Sequence, residues 1–354
     1  MKIAEVMAWN KDLGNTKPYT IAFKTVDEVR NVFVKITLDD GVLGIGAGNP
    51  SEYVVGESIE QSIQVLEQES FDYLIGRNIY ELNLLAAETQ TRFPANPAVR
   101  AAIDIALYDA FSRSLNLPLV KYLGQKIESL PTSCTIGIKN VEETLAEAYE
   151  YTARGFDVVK VKLGRDVDED IERILKLREQ FPQAVIRIDA NQGYTPEETL
   201  KFYRATQEAG VELIEQPLPA KAVDEMRALP MVLRKIIAAD ESLITPADAM
   251  NLTASPMACG IYNIKLMKCG GITPALAIAG IARYSNIDLF WGCNDESIVS
   301  ITAALHAAFS CEHTKYIDLD GSLDLASDVV TGGFILRKGR MYCSEKPGLG
   351  LELI

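Results

Sequence analysis

The sequence predicts an α/β chain, a parallel barrel preceded by a smaller α+β unit, and three observations carry that prediction. Short apolar segments end again and again in a charged residue: Val158 to Lys162, Val185 to Asp189, Glu212 to Glu215, Ile236 to Asp240 and Tyr262 to Lys268. Their last residues follow one another at 27, 26, 25 and 28 positions, about the length of one strand, one helix and two short connections. Residues 1 to about 125 lack this repeat. A repeated strand-helix unit makes a parallel sheet, and eight such units close into a barrel.

Taken in order, the first unit opens with Asn31 to Leu38, which alternates as a strand does, turns at Asp39-Asp40-Gly41 and returns as Val42 to Ile45. Glu57 to Glu69 and Pro97 to Leu117 carry apolar residues at helical spacing. Gly44-Ile45-Gly46-Ala47-Gly48 invites comparison with a dinucleotide-binding turn, but its third glycine comes too early, which favours a hairpin strand and its exit. The repeat begins with a strand over Thr132 to Ile138 and a helix over Val141 to Ala153. Asp168 to Glu179 is amphipathic, and Thr195-Pro196-Glu197-Glu198 starts another helix with a capping threonine, a first-turn proline and a glutamate three residues on. Thr245-Pro246 repeats part of this device. Strands at Asp288 to Trp291 and Tyr316 to Asp318 complete eight. The expected division is therefore 1–125, 126–320 and a tail over 321–354 that returns to the first unit.

A chain of 354 residues that is 48% hydrophobic can bury a large core. Its net charge of −14 argues against a general binder of nucleic acid or anionic membrane, either of which needs a basic face. No stretch reaches the roughly 20 apolar residues that cross a bilayer, and the start lacks a signal peptide's basic and apolar regions, so a cytoplasmic location is expected. The six cysteines include no Cys-x-x-Cys pair and are expected as reduced thiols.

In a parallel barrel the chemistry sits at the carboxyl ends of the strands. Asp189, Glu215 and Asp240 each close their own strand and should converge there. Any one of them alone would read as a helix cap or a solvated strand end; three in consecutive units at matched positions do not. Packed carboxylates repel, and a hard divalent cation with oxygen ligands relieves the repulsion, which points to magnesium (Mg2+). Zinc is disfavoured because the only histidines, His306 and His313, lie away from these strand ends.

Lys160 and Lys162 are two apart on one strand and face the same side. Burial and a second positive charge both lower a lysine pKa toward the range of a general base. Lys162, nearer the strand end, is the candidate base, and Lys160 is expected to help hold a substrate carboxylate. Lys268 closes the sixth strand, on the opposite side of an eight-stranded barrel from the second. Two lysines facing each other across a substrate carbon can remove a proton from one face and return one to the other, which inverts a stereocentre. The same acids without need of both lysines would suit a different class, a non-catalytic protein that binds small peptides or metal.

Lys160-Val161-Lys162, Asp189-Ala190-Asn191, Glu215-Gln216-Pro217, Asp240-Glu241-Ser242 and Lys265-Leu266-Met267-Lys268-Cys269-Gly270-Gly271 resemble the motifs of the enolase superfamily, more narrowly its muconate lactonizing subgroup. The resemblance covers nearly the whole chain, including Ala101 to Asp109 in the first unit and Thr135-Ile136-Gly137 at the first barrel strand. It implies a capping domain over a modified TIM barrel, (β/α)7β, with bound magnesium on Asp189, Glu215 and Asp240, and Lys162 and Lys268 as the base and acid pair. The subgroup contains cycloisomerases, o-succinylbenzoate synthases, N-succinylamino acid racemases and dipeptide epimerases.

Asp318-Leu319-Asp320 resembles the Asp-x-Asp pair with which dipeptide epimerases hold the free ammonium of the substrate. Both carboxylates lie on one side of the strand, facing one cation. The segment also looks like a haloacid dehalogenase nucleophile motif, yet that motif follows a first strand rather than lying near the end of a chain. As a calcium loop its glycine falls at the fourth position instead of the sixth. The resemblance therefore implies an isomerase that inverts the second residue of an alanine-containing dipeptide, with Thr135 and Cys293 beside the substrate and cell-wall peptide metabolism as setting. By register, Lys24 occupies the place of the arginine that pairs with a glutamate side chain in epimerases of the alanyl-glutamate type; lysine keeps the charge but loses the bidentate fork. An acidic and a small apolar second residue are both open, and Asn294 and Asp295 make the seventh-strand exit more polar than usual. A homo-oligomer with a small-molecule dipeptide as its ligand is expected.

Overall fold

The computed structural model describes residues 1–16, 19–20, 25–26 and 28–354. Between residues 134 and 318 its strands are Cys134–Ile136, Val158–Lys162, Val185–Asp189, Val211–Glu215, Ile237–Ala239, Ile261–Ile264, Asp288–Gly292 and Thr314–Asp318. They lie in one parallel sheet in chain order. Seven helical connections join them and none follows the last, giving (β/α)7β. The seam between first and last strands is held by a parallel bridge, Thr132 to Ile317, and by Ser133 N–H donating to Ile317 O at 3.3 Å.

Local chemistry explains where the helices start. Val141–Ala153 is entered through Asn140 and Glu143, Pro196–Ala205 through Thr195 and Glu198, and Pro246–Leu252 through Thr245 and Asp248. In each, the cap side chain accepts the third residue's N–H while that residue's side chain reaches back.

Inside the barrel, Leu213, Ala238, Ile261 and Phe290 form a small buried cluster with Tyr316 against it. Glu215, Asp240, Asn263, Gly292 and Asp318 each lie two residues further on, so the polar mouth stands directly above an apolar floor.

The first unit is an antiparallel sheet of Ile3–Asp12, Arg30–Leu38 and Leu43–Gly48, packed on the helix Pro97–Ser114. Gly44, Gly46 and Gly48 explain that packing. A Cβ at Gly46 would lie 1.8 Å from Ala102 O, and those at Gly44 and Gly48 would lie 2.4 and 2.2 Å from Ala106 O and Ala98 O. These glycines let strand and helix backbones touch. The tail runs past both units: Leu349 N–H donates to Asp109 Oδ1, Arg113 donates to Leu351 O, and Arg340–Cys343 pairs with Leu130–Pro131. Among the described residues, no helix is long and apolar enough to cross a membrane, and the six cysteines are free.

Candidate active site

Asp189 and Glu215 are the last residues of adjacent strands and pair in register, and Asp240 follows the end of the next strand. All three are buried. Asn263 Nδ2 donates to Glu215 Oε1 at 2.7 Å, and Gln216 Oε1 accepts the N–H of Asp240 at 2.9 Å. Asn191, Gln192 and Gln216, the residues just beyond the strand ends, have φ of 44°, 67° and 32°. Non-glycine residues seldom hold that conformation outside sites where the surroundings enforce it.

The lysines interleave with these acids. Lys160 Nζ lies 2.8 Å from Asp318 Oδ2, 2.7 Å from Glu215 Oε2 and 3.6 Å from Asp189 Oδ2. The expected lowering of its pKa is not what the structure gives. Burial lowers its pKa, but Asp318, Glu215 and Asp189 together outweigh that and hold it well above the usual lysine value. Its charge is already taken up inside the protein.

Lys162 Nζ faces the cavity, 3.4 Å from Asn191 Oδ1 and 3.7 Å from Asp189 Oδ2. Lys268 corrects the sequence-based expectation of a strand end. The sixth strand stops at Ile264, and Lys268 sits on one helical turn, Leu266–Cys269, closed by Gly270 at φ 97°. That turn folds its side chain back so that Nζ donates to Asp240 O at 2.6 Å, to Asn263 O at 3.0 Å and to Asp240 Oδ1.

Burial and the charges of Asp189 and Asp240 push Glu215 up to about 8, with Lys160 and Lys265 opposing. Asp240 is held below the usual carboxylate range: burial would raise it, but Lys265, its Nζ 2.9 Å from Oδ2, and Lys268 prevail. Lys265, Asn263, Gln216 and Glu241 were not foreseen as site residues. Their signal was position, since each lies within five residues of a proposed acid or lysine.

A divalent metal fits this donor set. The acids offer only hard oxygen ligands, and all three are buried at adjacent strand ends. Among the described residues no three acidic, histidine or cysteine side chains are drawn into one ion-holding cluster, because lysine ammonium groups stand between the carboxylates.

The eighth strand brings Asp318 and Asp320 to the same mouth. Thr135 N–H donates to Asp320 Oδ2 at 2.8 Å, so Thr135 fixes that carboxylate through its backbone. Burial and the adjacent Asp318 charge raise Asp320 to about 7. Asp318 is held low: burial works against this, and Lys160 overcomes it. Cys293 donates its S–H to Asp318 O at 3.2 Å and lines the cavity. Lys24 lies outside the described residues.

These groups open on a cavity of about 630 Å3 between the barrel mouth and the first unit. Asp189, Glu215 and Lys268 lie behind its wall, 1%, 0% and 2% exposed. Among the described lining residues are eleven carboxylates, including Glu28, Glu52, Glu60, Glu147, Asp295 and Asp324, against five lysines and arginines. The cavity is electronegative.

The family description "Mandelate racemase / muconate lactonizing enzyme, N-terminal domain" matches residues 4–124, and "Enolase C-terminal domain-like" matches 143–354. The chain is 53% identical over 352 residues to the L-Lys-D/L-Arg epimerase of Methylococcus capsulatus, covering 99% of each. It is 32% identical over 355 residues to the L-Ala-D/L-Glu epimerase of Bacillus subtilis, covering 99% of this chain and 97% of that one. A solved structure of the Methylococcus capsulatus dipeptide epimerase with Mg and the dipeptide L-Arg-D-Lys superposes with a TM-score of 0.97 at 53% identity, covering 99% of both chains.

Proposed function

The chain belongs to the mandelate racemase/muconate lactonizing enzyme family of the enolase superfamily, and from that premise we propose that it is a magnesium-dependent dipeptide epimerase that inverts the second residue of a dipeptide with cationic side chains. The observation that carries the chemistry is the bracketing of three acids by two lysines. Lys162 stands beside Asp189 on one flank, and Lys268 is bonded to Asp240 on the other.

Asp189, Glu215 and Asp240 would hold the magnesium, which when bound offsets the negative charge that develops on the substrate carboxylate as the α-proton leaves. Lys162, partly open to the cavity, takes a proton from the α-carbon of one epimer. Lys268, whose Nζ faces three acceptors, supplies the proton to the opposite face. For the other epimer the roles reverse. Lys160 neutralises the acid cluster from within. Asp318 and Asp320 receive the substrate's ammonium, with Thr135 holding the second of them and Cys293 the backbone of the first.

The cationic preference rests on the electronegative cavity and is supported by the L-Lys-D/L-Arg epimerase at 53% identity. Alanine-containing dipeptides, which the resemblance implies, rank below. Comparing kcat/KM for L-Lys-L-Arg and L-Ala-L-Glu by chiral chromatography tests this. A preference of about tenfold or more for the dicationic dipeptide is expected from charge complementarity. Equal or reversed preference overturns the cationic assignment.

A further inference from the structure

Lys268 stands on a barrel turn, yet much of what fixes that turn comes from the first unit. Gly270 and Gly271 have φ of 97° and 114°, a conformation glycine holds without strain. At both positions a side chain would also press on residues of the first unit. A Cβ on Gly270 would lie 2.5 Å from Arg100 Nε, and one on Gly271 would lie 2.6 Å from Asp104 Oδ2.

Asp104 lies on the helix Pro97–Ser114 and is fully buried. Its Oδ2 accepts the N–H groups of Ile272 at 2.6 Å and Thr273 at 3.1 Å, and its Oδ1 accepts the Thr273 hydroxyl at 2.6 Å. The barrel helix Ile272–Tyr284 has glycine at its own N-cap, with no side chain to give. Asp104 therefore supplies from another unit the cap that the helix lacks. Gln90 Nε2 donates to Gly270 O at 2.7 Å, and Arg100 donates to Cys269 O at 3.4 Å. These bonds meet the chain one to five residues beyond Lys268. The bonds that hold the chain at Lys162 come instead from the barrel itself: Arg173 donates to Lys162 O at 3.4 Å, and Gly164 N–H donates to Asp170 Oδ2 at 2.8 Å.

We propose that Asp104 and Gln90 are positioning residues for Lys268, so that proton transfer at one face of the substrate α-carbon, and not at the other, depends on contact between the two units. The inference rests on the proposed pairing of Lys162 with Lys268. A carboxylate that merely glued the units together would affect both faces alike.

The test is α-proton exchange into each separate epimer of L-Lys-L-Arg in deuterated water with magnesium. Lys268→Ala first identifies the epimer whose proton faces Lys268. In Asp104→Asn, exchange from that epimer is expected to fall about tenfold or more, because small misplacements of a reacting group are that costly. Exchange from the other epimer should change by less than about threefold. Gln90→Met, which removes one donor at the surface of the turn, should show the same asymmetry and decides the matter if Asp104→Asn fails to fold. A wild type that exchanges, with folded variants losing both epimers equally or neither, overturns the inference alone. A wild type silent toward both epimers overturns the functional proposal and this inference with it.

Discussion

Asp320 links charge to recognition at the scale of a single residue. Burial and Asp318 hold its carboxyl at about 7, so it gains its negative charge as the pH rises through that value. An ammonium ligand needs the charged form. The kcat/KM for a free-amine dipeptide, which reports the free enzyme, should therefore climb on passing pH 7, and Asp320→Asn should remove that limb. The variant should also lose far more activity toward free-amine dipeptides than toward N-acylated ones; equal losses would count against ammonium binding. The same shift works against stability in this window. Between the ordinary aspartate value of 3.8 and about 7 the unfolded chain has released a proton that the folded one keeps, so stability falls as pH rises. Asp189→Asn should weaken magnesium affinity, measured by calorimetry, and undiminished binding would remove the metal assignment.

Much of the site was legible because chemically distinctive residues recur at the ends of a regular repeat. Asp189 and Glu215 close strands as their spacing indicates. Lys160 was harder to read, since its company of Asp318, Glu215 and Asp189 comes from three other strands and reverses the effect of burial. No local pattern contains that information.

Elements show the same division. The three helices entered through Asn140, Thr195 and Thr245 were readable because a capping box is a local device. The strand Ile3–Asp12 was not foreseen, as its side chains lack clear burial alternation. The turn that carries Lys268 reads locally as strand, but it is helical and ends at Gly270 and Gly271, with φ of 97° and 114°, where Gln90 and Asp104 bond to the chain. Two substitutions weigh these influences by chemical denaturation. Thr195→Ala removes one cap and should cost about 1 kcal/mol. Gly46→Ala drives a methyl group into Ala102 O and should cost about 3 kcal/mol or more, because neither strand nor helix backbone can yield cheaply.

For the whole molecule, the decisive quantity is where the net charge of −14 is concentrated. Eleven carboxylates among the cavity's lining residues give a field that draws cationic ligands and is screened by salt. The kcat/KM for a dicationic dipeptide should fall about tenfold between low salt and 0.5 M, while that of a neutral dipeptide should hardly change. Both units contribute to that field, four of the eleven carboxylates, Glu28, Glu52, Glu57 and Glu60, coming from the first unit.

The central claim, two-face proton transfer at the second residue of a dipeptide, is tested most directly by mass-spectrometric α-proton exchange in deuterated water with and without magnesium. The panel would hold L-Lys-L-Arg, L-Ala-L-Glu, L-Ala-L-Ala, D-Ala-L-Ala and N-succinyl-L-arginine. One deuteron at the α-carbon of the second residue, dependent on magnesium and fastest with L-Lys-L-Arg, is the predicted result. Exchange confined to N-succinyl-L-arginine, or absent throughout in the presence of magnesium, would contradict it.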